Sequence, residues 1–247
     1  MTLDDRTCVV TGASRGIGRG IAETLAADGA NVAVNYRSSE REANDVVSTI
    51  KDAGGTAVAV QADVTDRDQL RAMRDRVHDQ FGPADVLINN AGITFDTSFA
   101  DMTENEWHRV IDVNLHGVFY ATKVFFDDVK AADEGRLVNI SSIVGKQGNF
   151  GQANYAAAKS GVFGFTRTLA LELAEGGSTA NCVAPGFTET DMLTSVPDNI
   201  RQRLRNEIPL NRFATTDDIA ELVRYLASEK SSYITGEVID VNGGMDL

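Results

Sequence analysis

The chain has 247 residues, 43% hydrophobic and 24% charged, ordinary values for a globular protein that exclude collagenous, low-complexity and largely disordered chains. Thirty-six Asp and Glu against 23 Lys and Arg leave a net charge of −13. Such a surface repels phosphate backbones and lacks the basic patch an anionic membrane attracts, so neither nucleic acid nor membrane is an expected partner.

The start, Met1-Thr2-Leu3-Asp4-Asp5, has no basic or apolar leader region, and no run reaches the ~18 apolar residues of a membrane span. The expectation is a cytoplasmic protein. The acid excess is carried by 23 Asp and 13 Glu, the base by 17 Arg and only 6 Lys. In about 1 M salt the Debye length falls to roughly 3 Å and the self-repulsion of such a surface is screened, so the composition reads as salt-adapted. Cys8 and Cys182 lie in apolar runs without metal spacing or a CxxC pair, and read as buried thiols. No metal site is expected.

Short apolar runs alternate with amphipathic stretches along the chain. Cys8-Val9-Val10 is a strand, followed by a glycine-rich turn and a helix that Gly29 stops. Asn31 to Tyr36 is a second strand. Ser38 or Ser39 caps the next helix, which ends before Gly54-Gly55. Thr56 to Gln61 is a third strand. Asp66 to Gln80 is a charged helix, and Asp85 to Asn89 a fourth strand. Thr103 caps a long helix that extends toward Lys130 with Gly117 inside it. Arg136 to Ser141 is a fifth strand, Asn154 to about Glu175 a helix, and Thr179 to Val183 a sixth strand. Residues 188 to 212 are the least regular part. Thr216 opens a helix to about Ser228, and Glu237 to Val241 is a last strand. Strands spaced by helices imply right-handed βαβ units and a parallel sheet. The whole chain, 1–247, reads as one doubly wound α/β domain with helices on both faces.

The first strand runs into Thr11-Gly12-Ala13-Ser14-Arg15-Gly16-Ile17-Gly18. This is a spaced variant of the dinucleotide turn, set between a strand and a helix. Gly12 allows the tight turn, Gly16 lets backbone N–H groups approach a pyrophosphate, and Gly18 brings the helix close to the sheet. The helix N-terminus offers its positive end to phosphate. A bare glycine-rich turn is the bland alternative, and the strand–helix context outweighs it. An NAD site wants a carboxylate at the end of the second strand. Here stand Tyr36 and Arg37 instead. Arg37, with Arg15 closing from the loop, suits a 2′-phosphate because guanidinium donates in a planar fork, which favours NADP(H). Asp63, with Val64 after it, follows the third strand; its carboxylate either accepts from an adenine amino group or caps the next turn. Asn89-Asn90-Ala91-Gly92 ends the fourth strand. The small residues leave room for the cofactor, and the Asn amides can bind backbone where the strand order reverses.

Tyr155 and Lys159 sit at i and i+4 of a helix and share a face. An ammonium near the hydroxyl favours phenolate and lowers a pKa that starts near 10, making Tyr155 a proton donor to a carbonyl oxygen. Chance Tyr-x3-Lys pairs are common. Ser141-Ser142, ending a strand at the carboxyl edge, lifts this one, because Ser142 can polarise a substrate oxygen. Asn114, in the preceding helix, can hold a water against Lys159.

Together these residues resemble the short-chain dehydrogenase/reductases. The resemblance covers essentially the whole chain: Thr11-Gly12-x3-Gly16-x-Gly18, Asn89-Asn90-Ala91-Gly92, Asn114, Ser142, Tyr155-x3-Lys159 and Pro185-Gly186 appear in the family's order. It implies a Rossmann-type, seven-stranded parallel sheet in order 3-2-1-4-5-6-7 and a homotetramer. It assigns catalysis to Asn114, Ser142, Tyr155 and Lys159. Tyr155 and Lys159 also belong to its cofactor site, Lys159 on the nicotinamide ribose. Pro185, Gly186 and Thr188 flank the nicotinamide, with Thr188 on its carboxamide.

Within the family the chain is similar to reductases of 3-oxoacyl thioesters. Two branches are open: acetoacetyl-CoA reduction for polyhydroxyalkanoate synthesis, and 3-oxoacyl reduction on acyl carrier protein for fatty-acid synthesis. Asn149-Phe150-Gly151-Gln152 resembles the CoA branch. The stretches 131–135 and 174–178 lack Lys and Arg, which disfavours an acidic carrier protein. Phe187 stands where the CoA branch commonly has Tyr. The CoA ester is the favoured expectation, with Phe150, Gln152 and Phe187 beside Ser142 and Tyr155 in the substrate pocket and segment 188–212 as its cover. Met192, Leu193, Ile200, Leu204 and Ile208 in that segment have the spacing of lid or core packing. Outside this class stands a nucleotide-sensing protein on the same fold, and within it an enzyme for a sugar or steroid alcohol. The salt reading carries its own test: thermal melting should rise between dilute buffer and molar KCl, and an unchanged melting temperature overturns it.

Overall fold

The computed structural model describes residues 2–190 and 198–246. The strands are β1 (Thr7–Val10), β2 (Asn31–Tyr36), β3 (Thr56–Gln61), β4 (Val86–Asn89), β5 (Arg136–Ile140), β6 (Thr179–Pro185) and β7 (Val238–Val241). They form one seven-stranded sheet in the order β3-β2-β1-β4-β5-β6-β7, and every pairing is parallel. This is the architecture implied by the sequence. The order reverses between β1 and β4.

The inner strands β1, β4, β5 and β6 are buried at every residue, because helices cover both faces. The edge strands β3 and β7 are partly exposed. Alternation sorts each strand's side chains to opposite faces. Cys8, Val10, Val86, Ile88 and Val138 pack against α1 (Gly16–Ala27), α2 (Glu40–Asp52) and α9 (Thr216–Ala227). Val9, Leu87 and Leu137 pack on the other face against α3 (Arg67–Phe81), α5 (Gly117–Ala131) and α7 (Ala153–Leu173).

Helix starts follow local chemistry. The Asp66 carboxylate accepts from the N–H groups of Asp68 and Gln69, at 2.9 and 3.1 Å. Thr103 and Glu106 form a capping box, as do Thr215 and Asp218 ahead of the helix that opens at Thr216. Ser39 holds the N-cap position of α2 without a side-chain cap. The expected long helix from Thr103 is interrupted. α4 (Glu104–Ile111) passes into a π-helical turn, Asp112–His116, before α5 begins at Gly117. Such widened turns are rare and recur at functional sites; this one contains Asn114.

Two short helices escaped the sequence reading: α6 (Val144–Gln147), and α8 (Asp198–Asn206) in the irregular segment. Met192 and Leu193 lie outside the described residues. Leu204 and Ile208 pack with Phe187, Phe213 and Met245 in a small cluster, while Ile200 is exposed. Both cysteines are free and buried, and burial pushes each thiol up to about 12.

At the amino end of the sheet Arg136 is completely buried. Its Nη1 donates to the carbonyls of Glu134 and Gly135 at 2.6 and 3.1 Å, and its Nε to that of Ser228 at 3.2 Å. Unmade hydrogen bonds to buried carbonyls cost about 1–3 kcal/mol each. Arg136→Met should therefore lower the urea midpoint by the equivalent of about 3 kcal/mol, whereas a variant within 0.5 kcal/mol of the parent would show that these bonds contribute little.

Candidate active site

The candidate residues gather at the carboxyl ends of the strands, around the point where the sheet order reverses. There the loop after β1 meets the exit of β4. The Thr11 hydroxyl accepts from the N–H groups of Asn90 and Ala91, at 3.0 and 3.1 Å. Asn90 Nδ2 donates to the carbonyls of Thr11 and Gly12, both at 3.0 Å. This is the expected backbone bridging by an amide. Asn89 points inward instead and donates to Thr122 Oγ1 and Asn139 Oδ1, each at 2.8 Å.

The glycines answer steric demands. Gly12 has φ +62°, and a Cβ there would lie 2.8 Å from Ala91 Cα. A Cβ on Gly18 would lie 2.4 Å from Asn90 Nδ2. Asn35, which sequence reasoning passed over, fixes the loop from β2. Its Oδ1 accepts from Gly12 N at 3.1 Å and its Nδ2 donates to the carbonyls of Val60 and Ala62. An Asn in the buried run Asn31–Tyr36 was the available signal. Ser14 is buried in the loop and Ile17 packs on the core.

The N-terminus of α1 carries no side-chain cap at Arg15 and no acid in its first turn. Its N–H groups and positive dipole end are thus left for an anion. A cleft of about 320 Å³ runs past it, lined by Gly16, Arg19, Gly20, Glu23, Glu189, Thr190 and Thr216. The open helix end and the glycines without Cβ fit a dinucleotide pyrophosphate.

Arg37 is exposed at the end of β2, and Arg15 is exposed in the loop. Arg37 Nη1 stands 4.0 Å from Asp63 Oδ2. Asp63 Oδ1 accepts from Thr65 N and Oγ1 at 2.9 and 2.7 Å, so Asp63 does cap the next turn. Val64 is buried against α5, where a Cβ on Gly117 would lie 2.7 Å from its Cγ2. Beyond β6, a Cβ on Gly186 would lie 2.9 Å from Asn242 Cα, and buried Thr188 donates to the Gly186 carbonyl at 3.2 Å.

The hydroxyl cluster lies at the exit of β5. Ser142 lowers the proton affinity of the Tyr155 hydroxyl and accepts from Val144 N at 3.2 Å. Lys159 is 3% exposed. Its Nζ donates to the Ile140 carbonyl at 2.9 Å and lies 5.5 Å from the centre of the Tyr155 ring. The i, i+4 spacing thus brings the pair together as read. The electrostatic outcome differs. Loss of water pushes the Tyr155 hydroxyl up to about 12, against the opposing effect of Ser142 and with a further rise from the Asp96 carboxylate. Burial also draws Lys159 down to about 8. In this state desolvation, not the ammonium, decides both groups, and Tyr155 keeps its proton.

Asn114 is fully buried. Its Nδ2 donates to the carbonyls of Ile93 and Val110, both at 2.8 Å, and its Oδ1 accepts from Ile93 N at 3.2 Å. The amide therefore clamps the loop after β4, and for a water it has only Oδ1 capacity left. A Cβ on Gly92 would lie 2.7 Å from that oxygen and 3.6 Å from Lys159 Nζ, so Gly92 is flanked by both side chains.

The expected substrate residues part company. Phe150 is 89% exposed on the turn before α7. Phe187 packs edge-on to Phe213, ring centres 6.5 Å apart. Gln152 is buried and donates to Asp96 Oδ1 at 2.9 Å. Besides Asn35, the sequence reading missed Asp96 and the fully buried Asn154, which donates to the carbonyls of Phe95 and Glu106 and accepts from Tyr155 N at 2.7 Å. Among the described residues no helix is long and apolar enough to cross a membrane.

A nucleotide-type cradle beside a Ser–Tyr–Lys cluster on this sheet defines an oxidoreductase of the short-chain class. The chain belongs to the short-chain dehydrogenase/reductase family: a family profile described as enoyl-(acyl carrier protein) reductase matches residues 12–246. The chain is 50% identical over 240 residues to the 3-oxoacyl-acyl-carrier-protein reductase FabG of Staphylococcus aureus, covering 97% of this chain and 98% of that one. It is 42% identical over 245 residues to the Escherichia coli FabG, covering 99% of each. A crystal structure of a dehydrogenase/reductase from Sinorhizobium meliloti superposes with a TM-score of 0.95 at 34% identity, over 100% of this chain and 97% of that one.

The buried ammonium has a consequence for stability. Lys159 titrates near 8 in the folded chain against an ordinary value of 10.5. Its charging cost is full below pH 8 and vanishes as pH rises to about 10.5, with a ceiling of about 3 kcal/mol. Lys159→Met should be more stable than the parent in urea below pH 8, and the gap should close by about pH 10.5. A gap independent of pH would show that the ammonium is not destabilised by burial.

Proposed function

We propose that the protein is an NADPH-dependent 3-oxoacyl reductase whose substrate is carried on acyl carrier protein. The observation that carries this reading is the near-full-length similarity to reductases named for that substrate, in a chain that holds Ser142, Tyr155 and Lys159 together at the exit of β5. That similarity turns the reading away from acetoacetyl-CoA and polyhydroxyalkanoate synthesis, which the segment around Phe150 had favoured.

Gly12, Ser14, Gly16, Ile17 and Gly18 would hold the cofactor's pyrophosphate at the start of α1. Arg15 and Arg37 would take a 2′-phosphate, and Asp63 and Val64 would lie along the adenine. Asn90, Ala91 and Gly92 would border the riboses. Tyr155 and Lys159 would meet the nicotinamide ribose, and Pro185, Gly186 and Thr188 the nicotinamide. NADPH, when bound, supplies the hydride that reduces C3 of the 3-oxoacyl group to an alcohol carbon. Ser142 donates a hydrogen bond to the substrate carbonyl oxygen and fixes its position. Tyr155 gives its proton to that oxygen, and the positive charge of Lys159 stabilises the phenolate left behind. Asn114 holds the loop that lies over this site. The proton on Tyr155 is replaced from solvent. Phe187 and Gln152 would border the acyl group, Gln152 held in place by Asp96.

The same reading includes a cytoplasmic homotetramer with a salt-adapted surface. Exposed Phe119 and Leu171 on α5 and α7 are the apolar surface such an assembly would cover.

The deciding assay follows NADPH oxidation in molar KCl with acetoacetyl-acyl carrier protein, acetoacetyl-CoA and crotonyl-acyl carrier protein. The expected result is the highest kcat/KM for the acetoacetyl carrier protein and no turnover of the crotonyl ester. A preference for the CoA ester would restore the polyhydroxyalkanoate branch, and crotonyl reduction would make the protein an enoyl reductase. Tyr155→Phe should lose at least about 100-fold in kcat while NADPH binding, followed by fluorescence, persists. Retained turnover would remove Tyr155 as proton donor.

A further inference from the structure

The segment after β4 is fastened to the residues that precede Tyr155 along three consecutive positions. The Phe95 carbonyl accepts from Asn154 Nδ2 at 3.3 Å. The Asp96 carboxylate accepts from Gln152 Nε2 at 2.9 Å. The Thr97 N–H donates to the Gly151 carbonyl at 2.8 Å. Gln152 completes its amide by accepting from Asn149 Nδ2 at 3.0 Å. Asn154 in turn accepts from the Tyr155 N–H, so the latch ends on the backbone of Tyr155 itself. On its other side the segment is held by Asn114 through both polar groups of Ile93. Of these contacts the one made by an ionised group is that of Asp96. A charge-assisted bond is about twice as strong as a neutral one, and Gln152 is 8% exposed while its partner reaches solvent.

We propose that Asp96 is a positioning residue for Tyr155: latched to Gln152, it fixes the turn that begins α7 and keeps its carboxylate anchored at that turn. The groups acting on the tyrosine hydroxyl from the packed elements are Ser142, which lowers its proton affinity, Asp96, and Lys159 beneath the ring. Asp96 is the one that opposes phenolate. Its charge therefore biases the resting site toward the proton-loaded tyrosine, the form that reduction consumes. Phenolate, the form that alcohol oxidation requires, is penalised. Because Asp96 is exposed, salt screens this effect, while the latch to Gln152 persists.

The inference rests on Tyr155 being the proton donor, and its test reads the free protein as well as turnover. Ultraviolet phenolate titration of the ligand-free protein assigns Tyr155 by difference from Tyr155→Phe. In Asp96→Asn, which keeps a neutral acceptor for Gln152, melting should fall less than in Asp96→Ala, and Tyr155 should titrate at lower pH than in the parent. That difference should shrink in molar KCl. In the oxidation direction, the rise of kcat/KM with pH should begin lower in Asp96→Asn than in the parent. Asp96→Ala should lose roughly tenfold or more in kcat, with a smaller change in KM, and Asp96→Asn should restore it. A titration of Tyr155 unmoved in Asp96→Asn, or an Asp96→Ala variant with parental kcat, would overturn the proposal. Should Asp96→Ala fail to fold, Asp96→Asn alone decides. Turnover retained in Tyr155→Phe would sink the donor assignment instead, and the titration would still report on Asp96.

Discussion

The site depends on one close approach: the loop leaving β1 lies against the exit of β4 with no room for a side chain between them. A Cβ on Gly12 would fall 2.8 Å from Ala91 Cα, and one on Gly18 would fall 2.5 Å from the Gly12 carbonyl. The approach is possible because the strand order reverses here, so β1 and β4 are neighbours while their following helices leave on opposite faces. Three polar side chains then replace the ladder that ends at this edge. Thr11 and Asn90 bridge the two loops, and Asn35 ties Gly12 to β2 and β3. The result aims the unpaired N–H groups of α1 along the edge, which is a backbone property requiring no charged residue.

A second constraint runs against stability. Lys159 holds an ammonium in a position only 3% exposed. The Ile140 carbonyl satisfies one of its three N–H bonds, and Ser141 fixes its backbone by donating to the Lys159 carbonyl at 2.8 Å. Burial lowers the charge affinity of Lys159 and raises the proton affinity of Tyr155 together. Proteins retain such a cost at a working site because the same desolvation strengthens the field that a reacting oxygen feels.

Much of this was legible in the sequence because its signals are local. Val9 and Val10, Asn31 to Tyr36 and Thr56 to Gln61 are short apolar runs closed by Gly or charge, and each is a strand. The i, i+4 spacing of Tyr155 and Lys159 needed only helical geometry. What escaped reading is tertiary. The π-turn around Asn114 has no composition of its own; its amide is spent on Ile93, a residue on a different element. Asn35, Asn154 and Asp96 act through partners between 23 and 59 positions away. Neither spacing nor propensity marks such pairs.

The choice between CoA and carrier protein shows the same limit from the other side. It leaned on one side chain, Phe150, and on two stretches without basic residues. Phe150 stands in solvent, so its identity records little about an acyl pocket formed within this chain. The missing Lys near 131–135 and 174–178 belong to a depletion that spans the molecule, with 6 Lys in 247 residues. A global shift in composition cannot also serve as a local signal about one partner, because the depletion lowers the expected number of basic residues everywhere. Similarity over 240 residues, 97% of the chain, does not rest on two stretches of five residues. Under the proposed function, an acidic reductase meeting an acidic carrier would rely on short-range apolar contact and on the screening of like charge, and that screening strengthens as salt rises.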